Sequence, residues 1–285
     1  MAETTRDIKR RIRGISNTRQ ITKAMELVSS AKLKRARERL EKSRPYYNTV
    51  LSNIQDILAT TGNMKHPLLD NREVKSSLYI VVSADRGLAG GYNAGVIRLA
   101  ENKIREDNID AKIIAVGSKA RDYFKKRGYD LVGDFVGISE EPEFADARKI
   151  GNIALELYKN KDIDEINIVY TKFLGTISQE PTILKLLPST EVHEGSSERR
   201  TVTEFEPSTE EVLSYLIPKY IQSTIYGALI EASSSEQAAR RVAMEAATDN
   251  ADEMIDELNI SYNRARQAAI TMEITEIVSG ADALK

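Results

Sequence analysis

The sequence predicts an α/β fold with long helices, in which a Rossmann-like α/β domain is inserted between two terminal helices that pair as an antiparallel, left-handed coiled coil. Three observations predict it. The C-terminal stretch contains almost no helix breakers, the two ends of the chain carry opposite net charges, and strand patterns alternate with helix patterns in the middle. The expected division is residues 1–61, 74–190 and 208–285.

The C-terminal segment, 208–285, is predicted to be one helix. Between Lys219 and Ser279 there is no proline and a single glycine, Gly227, so nothing there forces the helix to end. A helix of this kind is roughly 90 to 100 Å long at about 1.5 Å per residue. Because that exceeds the width of a compact domain of this size, we expect the helix to project and to meet another helix or a partner protein.

A stripe of residues on this helix recurs at alternating spacings of four and three, which is typical of the seam of a left-handed coiled coil. A helical bundle shows the same spacing over two or three heptads, but the lack of caps and breakers favours the extended coil. The seam is rich in Ala, Ser and Thr, with Ser233–Ser235 in succession, and is therefore predicted to adhere weakly. Its members are Met244, Thr248, Ala251, Ile255, Leu258, Tyr262, Ala265, Ala269 and Met272.

The N-terminal segment, 1–61, predicts a second long helix, interrupted after Ile15 only by Pro45. Residues 1–44 carry 14 Lys and Arg against 5 Asp and Glu, whereas residues 208–285 carry 6 against 13. Opposite charges of +9 and −7 predict that the two helices lie side by side and antiparallel. Pro45 and Pro218 are each expected to bend their helix.

Composition limits the remaining classes of protein. The chain of 285 residues has 29% charged residues, 6% aromatic residues, no Trp and no Cys, which suits one ordinary domain plus an extended helical element. The absence of cysteine excludes disulfides and thiolate metal sites and favours a cytoplasmic compartment. The longest aliphatic strings, such as Leu78–Val82, are far too short to span a bilayer. We expect no membrane insertion.

The middle of the chain alternates strand and helix patterns, which predicts a small doubly wound domain with a largely parallel sheet. A polar, Glu-rich segment, 188–207, leads back to the long helix. The predicted strands are 78–83, 112–116, 129–135, 165–171 and 179–187, and the predicted helices are 93–107, 118–127 and 144–158.

No catalytic, cofactor or metal site is predicted in this domain. The turn Asp85–Asn93 contains three glycines where a dinucleotide fold would hold phosphate, but it lacks the G-x-G-x-x-G spacing, and the chain has no Gly-Lys pair for a P-loop. We interpret it as a tight structural turn. The two histidines, His66 and His193, are far apart in predicted loops, which argues against a histidine triad or a zinc site.

The basic stretch Lys32–Arg44 is a candidate nucleic-acid surface, but no aromatic residue interleaves with its charges, and Glu38 and Glu41 interrupt it. A solvated face, or a surface that meets an acidic protein, is favoured. We therefore predict no nucleic-acid partner.

Three segments of the sequence resemble the gamma subunit of bacterial F-type ATP synthases, the central rotor stalk. They are the opening IKRRIRGISNTRQITKAMELVSSAKLKRA, the middle SADRGLAGGYN and the closing SEQAARRVAMEAATDNADEMIDELNISYNRARQAAITMEITEIVSGADAL. The resemblance covers both long helices and the start of the α/β domain, while residues 129–207 are less distinctive. It implies an antiparallel coiled coil with an α/β domain packed beside its foot.

The resemblance also implies the partners and the role. One copy of the chain would enter a ring of three alpha and three beta subunits, and its foot would join epsilon and the c-ring of the membrane sector. The chain would couple proton flow to ATP synthesis in the beta subunits without catalysing it, as a peripheral protein at the cytoplasmic face of the bacterial membrane. Small and apolar residues between Ala268 and Val278 would form a bearing.

The matched motifs imply residues that contact the beta subunits. For each of them, an ordinary position on a coiled coil is the alternative. They are Met25, Lys32, Lys34, Arg35, Arg266, Gln267, Thr271 and Glu273. Two other classes of protein stay open: a structural coiled-coil tether, which would form a stable homodimer, and a nucleotide-binding α/β enzyme with a helical arm, which would bind ATP or NAD.

Overall fold

The computed structural model describes residues 5–61, 73–188 and 208–282. Both His66 and His193 and most of the polar segment 188–207 lie outside these ranges. The elements in chain order are α1 (Thr5–Thr61), β1 (Ser76–Val82), α2 (Tyr92–Asp107), β2 (Asp110–Val116), α3 (Ser118–Lys126), β3 (Asp130–Phe135), α4 (Phe144–Lys159), β4 (Glu165–Phe173), β5 (Gln179–Leu187) and α5 (Thr209–Asp282).

The chain forms two compact units, which are described separately. One, the central unit, comprises Ser29–Arg240. The other, the terminal unit, comprises the chain up to Val28 together with the chain from Arg241 onward. The division of the sequence into 1–61, 74–190 and 208–285 stays a prediction.

The central unit contains a five-stranded sheet in the order β3-β2-β1-β4-β5, in which β1 to β4 are parallel and β5 pairs antiparallel with β4. This confirms the predicted α/β class and its largely parallel sheet. The first strand alternates between two cores, because successive side chains point to opposite faces. Leu78 and Ile80 pack with Ile54 of α1 and Ile221 of α5, whereas Tyr79 packs with residues of α2 and α3.

The terminal unit is an antiparallel pair of helical segments. Thr22 Oγ1 lies 2.8 Å from Thr248 Oγ1, and the Arg19 guanidinium lies 2.5 Å from the Asp252 carboxylate. Because the residue number rises in α5 as it falls in α1, the segments run in opposite directions, as predicted. Met244, Thr248, Ala251 and Leu258 of the predicted seam are buried, and Ile255, Tyr262 and Ala265 are half-buried. The left-handed twist stays a prediction.

The predicted seam is wrong at its end, where Ala269 and Met272 are exposed. The register of the pair explains this. It places Thr5, the first residue of α1, opposite about residue 266 of α5. Beyond that point α5 has no partner among the described residues of its own chain, so a stripe with seam spacing faces solvent.

The interpretation of Ser233–Ser235 as part of a weak seam is also wrong. All three serines are buried in the central unit, and their hydroxyls donate to the carbonyls of Glu140, Ile230 and Thr171. The small side chains of Ser233 and Ser235 let the loop at Glu140 and the end of β4 pack closely against the helix. Helix α1 continues through Pro45 and α5 through Pro218, so the expected bends stay predictions. Within the described ranges, no helix is both long enough and apolar enough to cross a membrane.

Candidate functional site

The order of the strands creates a topological switch point between β1 and β4. The chain passes from β1 to β2 and β3 on one side, and then returns to β4 on the other side of β1. In doubly wound sheets, ligands bind in the crevice at the carboxyl ends of the strands at such a point. The loop after β1, Asp85–Gly91, lies there and is called the glycine-rich loop below.

Helix α5 fills this crevice. Its residues from Glu231 to Ser235 bond to the loops and strand ends that would surround a nucleotide. The bonds run from Tyr92 Oη to the Ala232 carbonyl (3.2 Å), from Ser235 Oγ to the Thr171 carbonyl (2.9 Å) and from the Phe173 amide to Glu231 Oε1 (3.2 Å). The chain therefore packs its own helix where a Rossmann domain holds a cofactor.

The glycine-rich loop has the form of a structural turn. Asp85 accepts hydrogen bonds from the backbone amides of Ser118 (2.9 Å) and Ser139 (3.2 Å). Burial raises the pKa of the Asp85 carboxyl, but hydrogen bonds from the loops after β2 and β3 outweigh burial and lower it overall. Leu88 adopts a left-handed backbone with φ of 60°, and its side chain is 64% exposed.

A buried ion pair lies between α5 and this loop. Glu236 is fully buried, Arg240 is 5% exposed, and their charged groups are 2.7 Å apart, one turn from each other on the helix. Arg240 also donates to the carbonyl oxygen of Gly87 at 3.3 Å. Burial raises the pKa of Glu236 despite the attraction of Arg240. Sequence reasoning missed this pair, although Glu and Arg four residues apart in an Ala- and Ser-rich run could have indicated it.

Of the basic residues predicted to meet an acidic partner, Lys32 is engaged within the chain. Its ammonium group lies 2.6 Å from Glu140 Oε2, and Arg86 lies 3.8 Å from the other oxygen of Glu140. Although burial raises the pKa of Glu140, the bond and charge of Lys32 lower it overall. Lys34 and Arg35 are exposed on the same helix.

The remaining predicted contact residues lie in the terminal unit. Arg266, Gln267, Thr271 and Glu273 are exposed on α5 near the point where its partner segment ends, and the Thr271 hydroxyl bonds to the Gln267 carbonyl at 2.9 Å. Met25 is half-buried on α1. The register places it opposite about residue 245, about 30 Å along the helix from Arg266. The structure thus brings four of these residues together and leaves Met25 apart.

Comparison with known proteins decides the family. A family model described as ATP synthase matches residues 4–284. The ATP synthase gamma chain of Alkaliphilus metalliredigens is 57% identical over 284 residues, which cover 98% of each chain. The chain belongs to the ATP synthase gamma-chain family. As a gamma chain, it has the role of the central-stalk rotor of ATP synthase.

Other gamma chains and solved structures agree. The gamma chain of Acetobacterium woodii, named as sodium ion specific, is 47% identical over 302 residues and is covered in full. A chain of the central stalk and c-ring structure of the Tetrahymena thermophila mitochondrial ATP synthase matches with a TM-score of 0.62 and 25% identity, over 80% of this chain and 99% of that one. A chain from the Euglena gracilis enzyme, with a TM-score of 0.72 and 21% identity over 98% of this chain and 94% of that one, shows the same fold.

Proposed function

We propose that this gamma chain is a non-catalytic rotor shaft of a bacterial F-type ATP synthase. One copy stands in a ring of three alpha and three beta subunits and joins epsilon and the c-ring at its other end, peripheral to the membrane on its cytoplasmic side. The nucleotide sites then belong to partner chains. The packing of α5 across the crevice of the α/β domain supports this assignment, because the usual place for a nucleotide is filled.

The observation that carries the proposal is the exposed apolar end of α5. Past the part of α5 that lies opposite the described residues of α1, the helix presents aliphatic side chains to solvent, with Ile277 72% exposed. Exposed apolar clusters of this kind mark surfaces that meet another protein. The others are Ile270, Met272, Ile274 and Val278. In the rotor, this end would lie inside the ring, where apolar contacts without fixed bonds let it turn.

A rotor must also be asymmetric to do work. A partner changes the conformational equilibrium of a beta subunit only through its different affinity for the two states. Arg266, Gln267, Thr271 and Glu273 supply polar groups beside the apolar ones, so each angle of rotation presents a different surface to a given beta subunit.

The proposed contact residues differ in exposure and in whether they already have a partner within the chain. Arg266 and Gln267 are exposed, as are Lys34 and Arg35, and none of their charged or amide groups has a partner among the described residues that it would lose to a beta subunit. Lys32 would have to leave or share Glu140. We therefore expect the smallest net gain at Lys32 and retain Met25 as an apolar contact.

The test replaces Arg266 and Gln267 together by Ala in the assembled complex. We expect slower ATP turnover, because both groups leave the surface that faces the beta subunits. Ser261→Ala is the control: Ser261 is exposed on the same helix, about 140° around the axis from Arg266 and about 120° from Gln267, and therefore on a different face. Turnover equal to that of the wild type in the double variant would remove Arg266 and Gln267 from the contact surface.

Two measurements on the purified chain address the alternative classes. Titration with ATP or NAD is expected to give no tight binding, and micromolar binding would revive a nucleotide-dependent enzyme. Light scattering is expected to give a monomer, and a stable homodimer would favour a structural tether. Purification from cells with a partner ring at one copy per ring is the positive result that the proposal requires.

The proton as the transported ion is proposed only because the resemblance to bacterial F-type ATP synthases implies it. The sodium ion specific name of the Acetobacterium woodii relative makes sodium the competing candidate. ATP-driven acidification of vesicles that contain the complex, abolished by a protonophore, is the expected result. Uptake of radioactive sodium that a protonophore does not abolish would overturn it.

A further inference from the structure

We propose that Glu236 and Arg240 form a clamp that fixes the glycine-rich loop to α5, and that this clamp carries torque between the α/β domain and the helix. Only the transfer of torque rests on the proposed rotor function, and the contact between the loop and α5 does not. The role of the two residues would be to hold the loop in position against the helix.

The contacts of Arg240 support the first half of the proposal, that the loop is fixed to α5. Its guanidinium is buried, and it joins two partners at once: the carboxylate of Glu236 on its own helix and the carbonyl oxygen of Gly87 in the loop. Both contacts run through Nη2, which lies 2.7 Å from Glu236 Oε1 and 3.3 Å from the Gly87 carbonyl oxygen, so the charge of Glu236 holds this nitrogen beside the loop. Glu236 thereby aims Arg240 at the loop.

The loop itself explains why such a bond is useful. Asp85 and Asn93 hold its two ends, through the Ser118 and Ala84 amides respectively. Between them Leu88 has a left-handed backbone, which is costly for a residue with a side chain and persists only when its surroundings impose it. The bond from Arg240 to Gly87 acts on the residue directly before Leu88.

The charges around the clamp show that it belongs to a larger polar contact. Glu140, in the loop after β3, faces Glu236 and Arg240 and is paired with Lys32 of α1 and approached by Arg86 of the glycine-rich loop. Three basic and two acidic groups therefore join α1, α5 and two loops. The Ser233 hydroxyl adds a bond of 2.8 Å to the carbonyl of Glu140.

Directional contacts of this kind differ from apolar packing in what they resist. Apolar side chains have no preferred bonding direction, and they resist displacement through close packing rather than through bond angles. A hydrogen bond weakens steeply when its angle changes. A contact built from ion pairs and hydrogen bonds to backbone carbonyls therefore opposes rotation of the helix against the domain, which is the direction of torque in a rotor.

The first experiment measures hydrogen exchange of the backbone amides of residues 85–91 in the purified full chain. Arg240→Met keeps an unbranched apolar stem but removes the charged guanidinium and its N–H donors, and we expect exchange in this loop to become about tenfold faster. Lys219→Met, on the same helix and also in the central unit, is the control and should leave the loop unchanged. Unchanged exchange in Arg240→Met would overturn the clamp.

A second variant covers the case in which Arg240→Met fails to fold. Reversal of the pair, Glu236→Arg with Arg240→Glu, keeps both charges in contact but places an acceptor opposite the Gly87 carbonyl. We expect the reversed pair to fold and still to show fast exchange in the loop, while Arg240→Lys, which retains a donor, is intermediate. Slow exchange in the reversed pair would show that the ion pair alone holds the loop, which contradicts the clamp.

The second experiment measures torque transfer in the assembled complex as ions pumped per ATP hydrolysed. We expect the ratio to fall about twofold or more in Arg240→Met while hydrolysis continues, and to recover in part in Arg240→Lys. If loop exchange becomes faster but the ratio of ions to ATP does not change, the contact between Arg240 and the loop is supported and its role in carrying torque is overturned. If the chain were not a rotor, the exchange result would still stand, so the two failures are distinguishable.

Discussion

Thr248 of α5 and Thr22 of α1 face each other across the terminal pair of helices, with their hydroxyl oxygens 2.8 Å apart and both side chains buried. Each hydroxyl also has a carbonyl of its own helix within reach, Arg19 for Thr22 (3.0 Å) and Met244 for Thr248 (2.8 Å), so one hydroxyl donates across the pair and the other donates to its own helix. A permanent coiled coil places Leu or Ile at such positions. Here a hydrogen bond between two short side chains sets the spacing and the register of the pair.

We predict that Thr248→Val lowers the free energy of unfolding by about 1 kcal/mol, because the hydroxyl of Thr22 loses its hydrogen-bond partner on α5 in a buried place. Thr22→Val should cost a similar amount. The double variant should be less destabilised than the sum, because two apolar groups of the same shape replace both partners. Urea unfolding followed by circular dichroism gives the three values. Thr271→Val, exposed on α5, is the control, and additive single effects would argue against a direct bond.

Gly117 is predicted to be intolerant of a side chain. Its φ of 86° is left-handed, and an added Cβ would lie 2.3 Å from the carbonyl oxygen of Ser83, which is backbone and cannot move aside. We expect Gly117→Ala to destabilise the central unit by about 3 kcal/mol or more. Gly128 has a similar φ of 76° but open space around the added atom, so Gly128→Ala should cost only about 1 to 2 kcal/mol. Equal losses in thermal unfolding would show that backbone strain, and not the contact with Ser83, sets the cost.

The carboxylate of Asp85 is predicted to make the central unit sensitive to acid. Its pKa is lowered in the fold, so the stability that it contributes is present above the pKa of the unfolded chain, about 3.9, and is lost as pH falls through the folded value. Asp85→Asn should therefore be less stable than the wild type at pH 7, by about 1 to 3 kcal/mol for a charged acceptor of backbone bonds. The difference should shrink below about pH 4.

Urea unfolding from pH 7 to pH 3 tests this, with tyrosine fluorescence as the signal. Asp122→Asn provides the control, because Asp122 is exposed and pairs only with its neighbour Arg121 among the described residues. A constant difference between Asp85→Asn and the wild type over the whole pH range would mean that shape, and not charge, holds the loops together.

The strands and helices of the α/β domain were predictable from the sequence because each is a local pattern. The run Leu78–Val82 is apolar on both faces, which indicates a strand covered on both sides, and β1 occupies that place. The antiparallel pairing of the ends followed from their opposite charges, and the ion pair between Arg19 and Asp252 is one expression of it.

The sequence did not show which residues each helix surface packs against. A run such as Ser233–Ser235 has the same spacing whether it faces a second helix or the loops of a domain, and only the fold decides which. The seam spacing likewise continues to Met272, although the described part of α1, which starts at Thr5, lies opposite α5 only up to about residue 266. From the sequence, Lys32 was predicted to be a basic residue available to a partner. In the fold it pairs with Glu140, which is more than a hundred residues away in sequence.

The exposed end of α5 gives the last prediction. Removal of residues 274–285 takes away Ile274, Ile277 and Val278, which are all exposed and lie beyond the end of the helix pair. We expect the central unit to unfold at an unchanged temperature, because none of these residues contributes to its core. In the assembled complex, the same truncation should weaken assembly or lower ATP synthesis driven by an ion gradient, because the apolar surface proposed to turn within the ring is shortened. Ile274→Ser with Ile277→Ser is the matched variant of full length, and it should reproduce part of the loss if the apolar surface matters and not the length. Synthesis equal to that of the wild type in the truncated complex would show that this end of the helix is not a bearing.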